Sequence, residues 1–255
     1  MPQIIIPPDA PYLRGHFDGR PIVAGVVELI LLIEHLSREA GRPLAVRSIK
    51  FARFRQLVVP HDRLDVSARV VEGGFTRVDV TRDGGLVANA ELELVPKLTE
   101  QSLPRSGSVE GSAVDAPPLD LLLPHRPPMR FITAIERELS DGLECEARVS
   151  TECGLASDGR AHALLGLEAA AQAAAAWEAL RRSREPGGAS ARIGYVVAIR
   201  DAAFYTSSIP ADVSFSVRAR LVALALPLTH YAVEVAVGGV VVTLGTIATV
   251  LRDAT

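Results

Sequence analysis

A chain of 255 residues is too long for one small core and suits two domains of ordinary size, and 48% hydrophobic with 22% charged residues excludes a disordered protein. A formal net charge of -3 offers no global attraction to nucleic acid or anionic lipid, so a small-molecule or protein-carried substrate is expected. Two cysteines, Cys145 and Cys153, lack the spacing of a metal-binding finger and read as reduced thiols of a cytoplasmic protein.

The chain opens on Met1-Pro2-Gln3, which has no basic region, and its first long apolar run, Val26 to Ile33, is interrupted by Glu28 and stopped by Glu34 and His35. Neither a signal peptide nor a membrane span is expected. A short apolar start (Ile4-Ile5-Ile6) and a Gly- and Pro-rich loop (Arg14 to Pro21) lead into VAGVVELILLIEHLSREAG, whose apolar density predicts a helix ended by Gly41 and Pro43. Alternating apolar and polar residues then predict strands in AVRSIKFARF, RLDVSARVVEG, FTRVDVTRDG and LVANAELELV, with Gly73-Gly74 and Asp83-Gly84 as turns.

From Lys97 to Pro118 the composition shifts to Ser, Gly and Pro without periodicity, which reads as a linker and divides the chain into residues 1–97, 98–117 and 118–255. Beyond it, FITAIERELS and LECEARVS read as strands joined at Asp141-Gly142, and a helix follows from about Leu164 to Arg182, closed by Pro186-Gly187-Gly188. Strands return in IGYVVAIRDAAFY, VSFSVRARLVALA, HYAVEVAVGG and VVVTLGTIATVL. Both halves therefore follow one plan, a helix wrapped by a curled antiparallel sheet, and the expected fold is α+β: a double hot-dog, with two such units forming a pseudo-dimer in one chain.

The strongest local signal is Arg14-Gly15-His16-Phe17-Asp18-Gly19-Arg20-Pro21-Ile22-Val23-Ala24-Gly25-Val26. A neutral imidazole titrates near pH 6.5 and is well suited to take a proton from the carbon beside a thioester carbonyl, which makes His16 the candidate base. Gly25 and Val26 open the helix, where unsatisfied backbone N–H groups and the positive dipole end can polarise the thioester oxygen. In the second half, Glu168 and Gln172 form an E-x-x-x-Q on an alanine-rich helix, a spacing that puts both on one face and lets the amide orient the carboxyl group. Apolar surroundings are expected to desolvate Glu168 and keep it able to protonate a departing hydroxyl.

The loop resembles that of the 3-hydroxyacyl-carrier-protein dehydratases, G-H-F-P-G-x-P-x-x-P-G-V before a central helix: Gly15, His16, Phe17, Gly19, Pro21, Gly25 and Val26 match, while Asp18 and Ala24 replace two prolines. The second half, through Leu123-Pro124-His125-Arg126-Pro127-Pro128-Met129 and GLEAAAQAAAAW, resembles hot-dog partner subunits of dehydratases in aryl-polyene-type clusters, and the first half the histidine-bearing partner. In these relatives an acid stands fourteen residues after the histidine; here that place holds Ile30, and the place fourteen before Glu168 holds Gly154. The resemblance therefore implies one composite site built from His16 and Glu168, and a dead reciprocal one at Ile30 and Gly154. It further implies dehydration of a 3-hydroxyacyl thioester to a trans-2-enoyl thioester, no cofactor beyond the phosphopantetheine carrying the substrate, and an acyl carrier protein as partner, with the double chain itself able to pair as a homodimer.

Glu34, one turn beyond Ile30, is a rival acid, and His162 stands near the start of the second helix, close enough to line a pocket. Glu28, about 200° round the helix from Ile30, should face elsewhere. His125 reads as a turn-stabilising residue in a Pro-rich segment, and His35, His61 and His230 as helix-surface, turn and strand residues. Arg14, Arg20, Lys50, Arg53 and Arg55 are candidates for a local basic patch meeting a phosphate or an acidic carrier. The alanines from 169 to 176 allow either close helix packing or an acyl tunnel. A thioesterase, an isomerase-like activity and a non-catalytic acyl-thioester scaffold are the alternative functions.

Overall fold

A computed structural model describes residues 3–17, 19–96, 98, 103–185 and 192–253, without the side chains of 192, 193, 252 and 253. Asp18, which replaces a loop proline, the linker's first residue Lys97 and the helix-closing 186–188 lie outside the described residues.

The first half comprises β1 (Gln3–Ile5), α1 (Gly25–Glu39), β2 (Ala45–Phe54), β3 (Arg63–Val70), β4 (Thr76–Arg82) and β5 (Gly85–Val95). Val26, Val27, Leu29, Ile30, Leu32 and Ile33 bury most of the circumference of α1, so its stability comes from packing on the sheet that encloses it rather than from helix propensity. Asp83 and Gly84 both take positive φ (52° and 78°), the backbone that matches a two-residue turn to the twist of β4 and β5.

The second half comprises α2 (Leu119–Leu122), β6 (Ile132–Leu139), β7 (Gly142–Ala147), β8 (Ala156–Ser157), β9 (Arg160–His162), α3 (Leu165–Ser183), β10 (Arg192–Phe204), β11 (Ser208–Pro210), β12 (Phe215–Ala225), β13 (Leu228–Val237) and β14 (Val240–Asp253). Buried Ala169, Ala170, Ala173 and Ala176 let α3 lie close to the sheet, and Trp177 packs edge-on against Tyr231 with ring centroids 6.1 Å apart.

All the long strands join one antiparallel sheet of order β1-β3-β4-β5-β2-β10-β14-β13-β12-β7-β6, while β8, β9 and β11 make a small separate sheet. The halves meet at the β2–β10 seam, where Ile199 pairs with Ala52 and Ala202 with Ile49. The sheet edge that a lone hot-dog unit would expose is thus satisfied within the chain. Inside the curl α1 and α3 touch, and their buried apolar residues form one continuous core.

The described part of the linker is anchored to the second half. Ser106 N–H donates to Gly239 O (3.0 Å), and Ser112 and Glu138 exchange two backbone bonds of 3.0 Å.

Candidate active site

The loop carrying His16 crosses the second half at Gly15, whose φ is +77° and whose missing Cβ would stand 2.0 Å from the Arg126 carbonyl oxygen. Only glycine combines that backbone with so close an approach. Arg126 N–H donates to Gly15 O at 2.8 Å, fixing the histidine loop of one half to the Leu123–Met129 segment of the other.

His16 is buried, and its Nδ1 lies 2.9 Å from Ile22 O. A carbonyl can only accept, so Nδ1 carries the proton and the neutral ring keeps a bare lone pair on Nε2. Burial lowers the imidazole pKa below 6.5, opposed by the charge of Glu168 and by the bond to Ile22. Phe17, held at φ 65°, sets its ring 4.4 Å from the imidazole. At the second substituted proline position Ala24 has φ -63°, the value a proline ring would impose, so the chain enters α1 in the same conformation without the ring.

Across the cavity Glu168 is buried in the first turn of α3, with Gln172 Nε2 3.2 Å from its Oε1. Gln172 is wholly buried and is itself fixed: Phe131 N–H donates to its Oε1 (2.8 Å) and its Nε2 donates to Met129 O (2.8 Å). The amide expected to orient Glu168 thus also ties α3 to the segment bearing His125.

His125 overturns its reading as a turn residue. Its Nε2 lies 3.7 Å from Glu168 Oε1 and its ring 5.3 Å from that of His16 and 5.2 Å from that of Phe17. Burial, with the charges of His16 and Arg126, pushes its pKa well below 6.5, and its Nδ1 has no hydrogen-bond partner among the described residues. Sequence reasoning missed it because a Pro-rich segment has no periodicity to show which way a side chain points; the signal available was the histidine's place in the matched segment itself.

His16, His125 and Glu168 offer ligand atoms within 4.8 Å of one another. A substrate oxygen could be met by all three groups at once.

These groups line a cavity of about 240 Å³ between the halves, which Gly25, Ala171 and Ala174 also line. Gly25 is needed for a reason beyond substrate access: a Cβ there would come within 2.7 Å of the Phe54 ring that lies over the start of α1. Val26 is buried beside it. The alanines of α3 divide between the two expected roles, since Ala171, Ala174 and Ala175 line the cavity while Ala169, Ala170, Ala173 and Ala176 pack in the core.

Other expectations change. Glu34 is exposed on α1 and is not among the cavity residues, so it is no rival acid. Glu28, expected to face elsewhere, does line the cavity, because the cavity wraps round the first turn of α1. His162 accepts from Leu164 N–H through Nδ1 at 3.2 Å and is pushed down to a pKa of about 4 by burial, which makes it a brace for the start of α3 away from the cavity lining. His35 is buried rather than on the surface, since the curled sheet encloses this face of α1 as well. Of the basic residues, Arg55 lines the cavity, whereas Lys50 pairs with Glu91 (3.0 Å), Arg53 lies over the Phe51 ring (5.2 Å), Arg14 reaches Glu152 O (3.5 Å) and Arg20 is exposed. At the reciprocal position Ile30 is buried, and a Cβ on Gly154 would stand 2.8 Å from Pro11. Cys145 and Cys153 are buried and unbridged, and burial pushes the Cys145 thiol up to about 12. No helix among the described residues is long and apolar enough to cross a membrane.

Comparison with known proteins bears on both halves. A family model described as ApeP-like, ApeP dehydratase, matches residues 117–254, and one described as ApeI-like, ApeI dehydratase, matches residues 2–84. The chain is 35% identical over 97 residues to a 3-hydroxyacyl-(acyl-carrier-protein) dehydratase FabZ of Sinorhizobium fredii, covering 32% of this chain and 60% of that protein. It is 34% identical over 94 residues to the FabZ of Myxococcus xanthus, covering 32% and 61%. The chain thus spans about three-fifths of the length of these curated relatives. Among solved structures it is similar to the dehydratase domain of RzxB from Pseudomonas fluorescens, with a TM-score of 0.71 at 13% identity over 98% of this chain and 93% of that one. The dehydratase domain of PpsC from Mycobacterium tuberculosis gives 0.70 at 14% identity over 98% and 92%. At such low identity these two matches establish the double hot-dog fold.

Proposed function

The chain belongs to the ApeP-like dehydratase family, and from that premise we propose that it removes water from a 3-hydroxyacyl thioester carried on the phosphopantetheine of an acyl carrier protein. The observation that carries this reading is the buried His16, held through Nδ1 by Ile22 O and lining one cavity with Glu168 from the other half, with a ring nitrogen and a carboxylate oxygen within 4.8 Å of each other.

The thioester carbonyl lies against the first N–H groups of α1, at Gly25 and Val26, which stabilise the oxygen as enolate character develops. His16 Nε2 takes the α-proton, and the electrons of that C–H bond form the new double bond as the C–O bond breaks. Glu168, oriented by Gln172, gives its proton to the departing hydroxyl, which leaves as water. The two transfers reinforce each other: once Glu168 has given up its proton, its charge favours the proton His16 has gained, the same coupling that opposes the burial shift of His16. His125, 3.7 Å from Glu168, receives the hydroxyl on its other side. The product is a trans-2-enoyl thioester, and the chemistry needs no further cofactor.

The test is turnover of a 3-hydroxyacyl-carrier-protein substrate by the purified protein, with the enoyl product read by mass spectrometry. His16→Ala and Glu168→Gln should each lower kcat by at least roughly 100-fold, the scale of a lost general acid or base. Activity that survives both substitutions would overturn the reading, and release of free thiol in place of the enoyl product would reassign the site to thioester hydrolysis.

A further inference from the structure

Glu28 is a half-buried polar group, one carboxylate oxygen of which is fully buried, that the proposed chemistry leaves unused. It lies one turn beyond Gly25 on α1 and lines both the cavity holding His16 and a small apolar hollow inside the first half, bounded by Ile4, Ile6, Leu64 and Val80. Its Oε2 is fully buried with no hydrogen-bond partner among the described residues. The nearby cation does not satisfy it: the Arg82 guanidinium is spent on Asp62, on Leu57 O (3.2 Å) and on Gln56 Oε1 (3.0 Å). Burial and the charge of Asp62, against the opposing charge of Arg82, push the Glu28 carboxyl well above its ordinary range, toward a neutral acid that both donates and accepts.

An unpaired buried carboxyl costs stability, so its retention beside a cavity points to a partner that arrives with the ligand. The position of Glu28 indicates which part of the ligand. Arg55, Gln56 and Leu57 are the exposed residues among those lining the cavity and so mark its mouth. Arg82 bonds to two of these three, and its charge is felt at Glu28. Whatever enters past residues 55–57 toward Gly25 therefore enters a space that Glu28 also lines. On the dehydratase reading, on which this step rests, the entering group is the pantetheine arm, whose hydrogen-bonding groups in that stretch are neutral amides. A neutral acid complements an amide, whereas an ammonium or a carboxylate would meet the desolvation penalty of an ion.

We propose that Glu28 is the binding group for an amide of the pantetheine arm, in the first turn of α1 where that turn lines the cavity. Replacing the C–H of a plain chain by an amide at this point satisfies Oε2 and sets the depth to which the thioester enters.

Calorimetry on the full chain with non-hydrolysable S-alkyl pantetheine thioethers tests this without requiring turnover. Analogues in which one amide or the other is replaced by a two-methylene link should bind wild-type protein at least about ten-fold more weakly at the amide that is read, about 1.4 kcal/mol. In Glu28→Leu the two Kd values should converge, and in Glu28→Gln, which keeps both a donor and an acceptor, most of the difference should remain. A difference that persists undiminished in a folded Glu28→Leu, or wild-type protein that does not distinguish the analogues, overturns the proposal. Turnover of a 3-hydroxyacyl pantetheine thioester, measured alongside, isolates the other failure: arm recognition through Glu28 with no dehydration would sink the catalytic reading alone.

Discussion

Burial favours the neutral form of two neighbouring imidazoles, and in the proposed mechanism that sets the acid limb of the reaction. His16 acts as a base only while unprotonated, and its folded pKa lies below 6.5 because burial outweighs the pull of Glu168. The rate kcat/KM should therefore hold through pH 6.5 and fall only at lower pH; a limb centred at or above 6.5 in a pH-rate profile would contradict the geometry. Stability follows the same sign. His16, His125 and His162 all have lowered pKa values in the fold, the last about 4. Below 6.5 the unfolded chain binds protons that the folded chain refuses, so stability is full above 6.5 and drops as pH falls toward those lowered values. The slope is about 1.4 kcal/mol per pH unit for each histidine, readable in urea melts. Gln172→Leu should act on both counts, stranding Met129 O and Phe131 N–H and costing about 2 kcal/mol or more, while kcat falls further than KM rises because Glu168 loses its orientation. At this scale His16, Glu168 and Gln172 are legible in the sequence because each sits in a spaced pattern with a chemical reason. His125 and Glu28 are not. A helical wheel gives the angle of Glu28 from Ile30 correctly but cannot say that a cavity curls round the helix end to meet it.

Elements aim these groups, and the aim depends on close backbone contacts. Gly15→Ala would force a Cβ into the Arg126 carbonyl at a positive φ, so it should cost at least about 2 kcal/mol and lower kcat by moving His16 away from Glu168. A loss of stability with unchanged kcat would show that the crossing does not set the catalytic distance. Along α3 two neighbouring alanines separate packing from tunnel. Ala173 is fully buried in the core, and Ala173→Leu should destabilise the chain by about 1–3 kcal/mol through overpacking. Ala174 lines the cavity, so Ala174→Leu should leave the melting temperature closer to that of the wild type and raise KM, most strongly for long acyl chains. The long strands and the two long helices, α1 and α3, were readable because alternation and apolar stripes extend over many residues. The sheet of β8, β9 and β11 was not, since strands of two or three residues are too short to show a period.

At the scale of the whole molecule, the proposed mechanism implies one site per chain, because each half holds half of the machinery. The covalent link holds His16 and Glu168 in a fixed pairing, whereas two identical units would present either residue twice. At the positions where a reciprocal acid and base are expected, Ile30 is buried and a Cβ on Gly154 would stand 2.8 Å from Pro11, so neither residue can give or take a proton there. The described part of the linker, anchored on the second half through Ser106 and Ser112, is not among the cavity residues, which fits a tether that raises the local concentration of one half for the other. Residues 1–97 and 118–255 made as separate chains should therefore each be inactive, and each should be prone to aggregate, because separation bares the β2 or the β10 edge. Co-expressed, they should re-form the β2–β10 seam and the contact between α1 and α3, co-purify as a one-to-one pair, and recover dehydration. Adding the His16→Ala first half or the Glu168→Gln second half should give the same pair without activity. Dehydration by either half alone would contradict the composite site, since the proton would then be taken and given within one hot-dog unit.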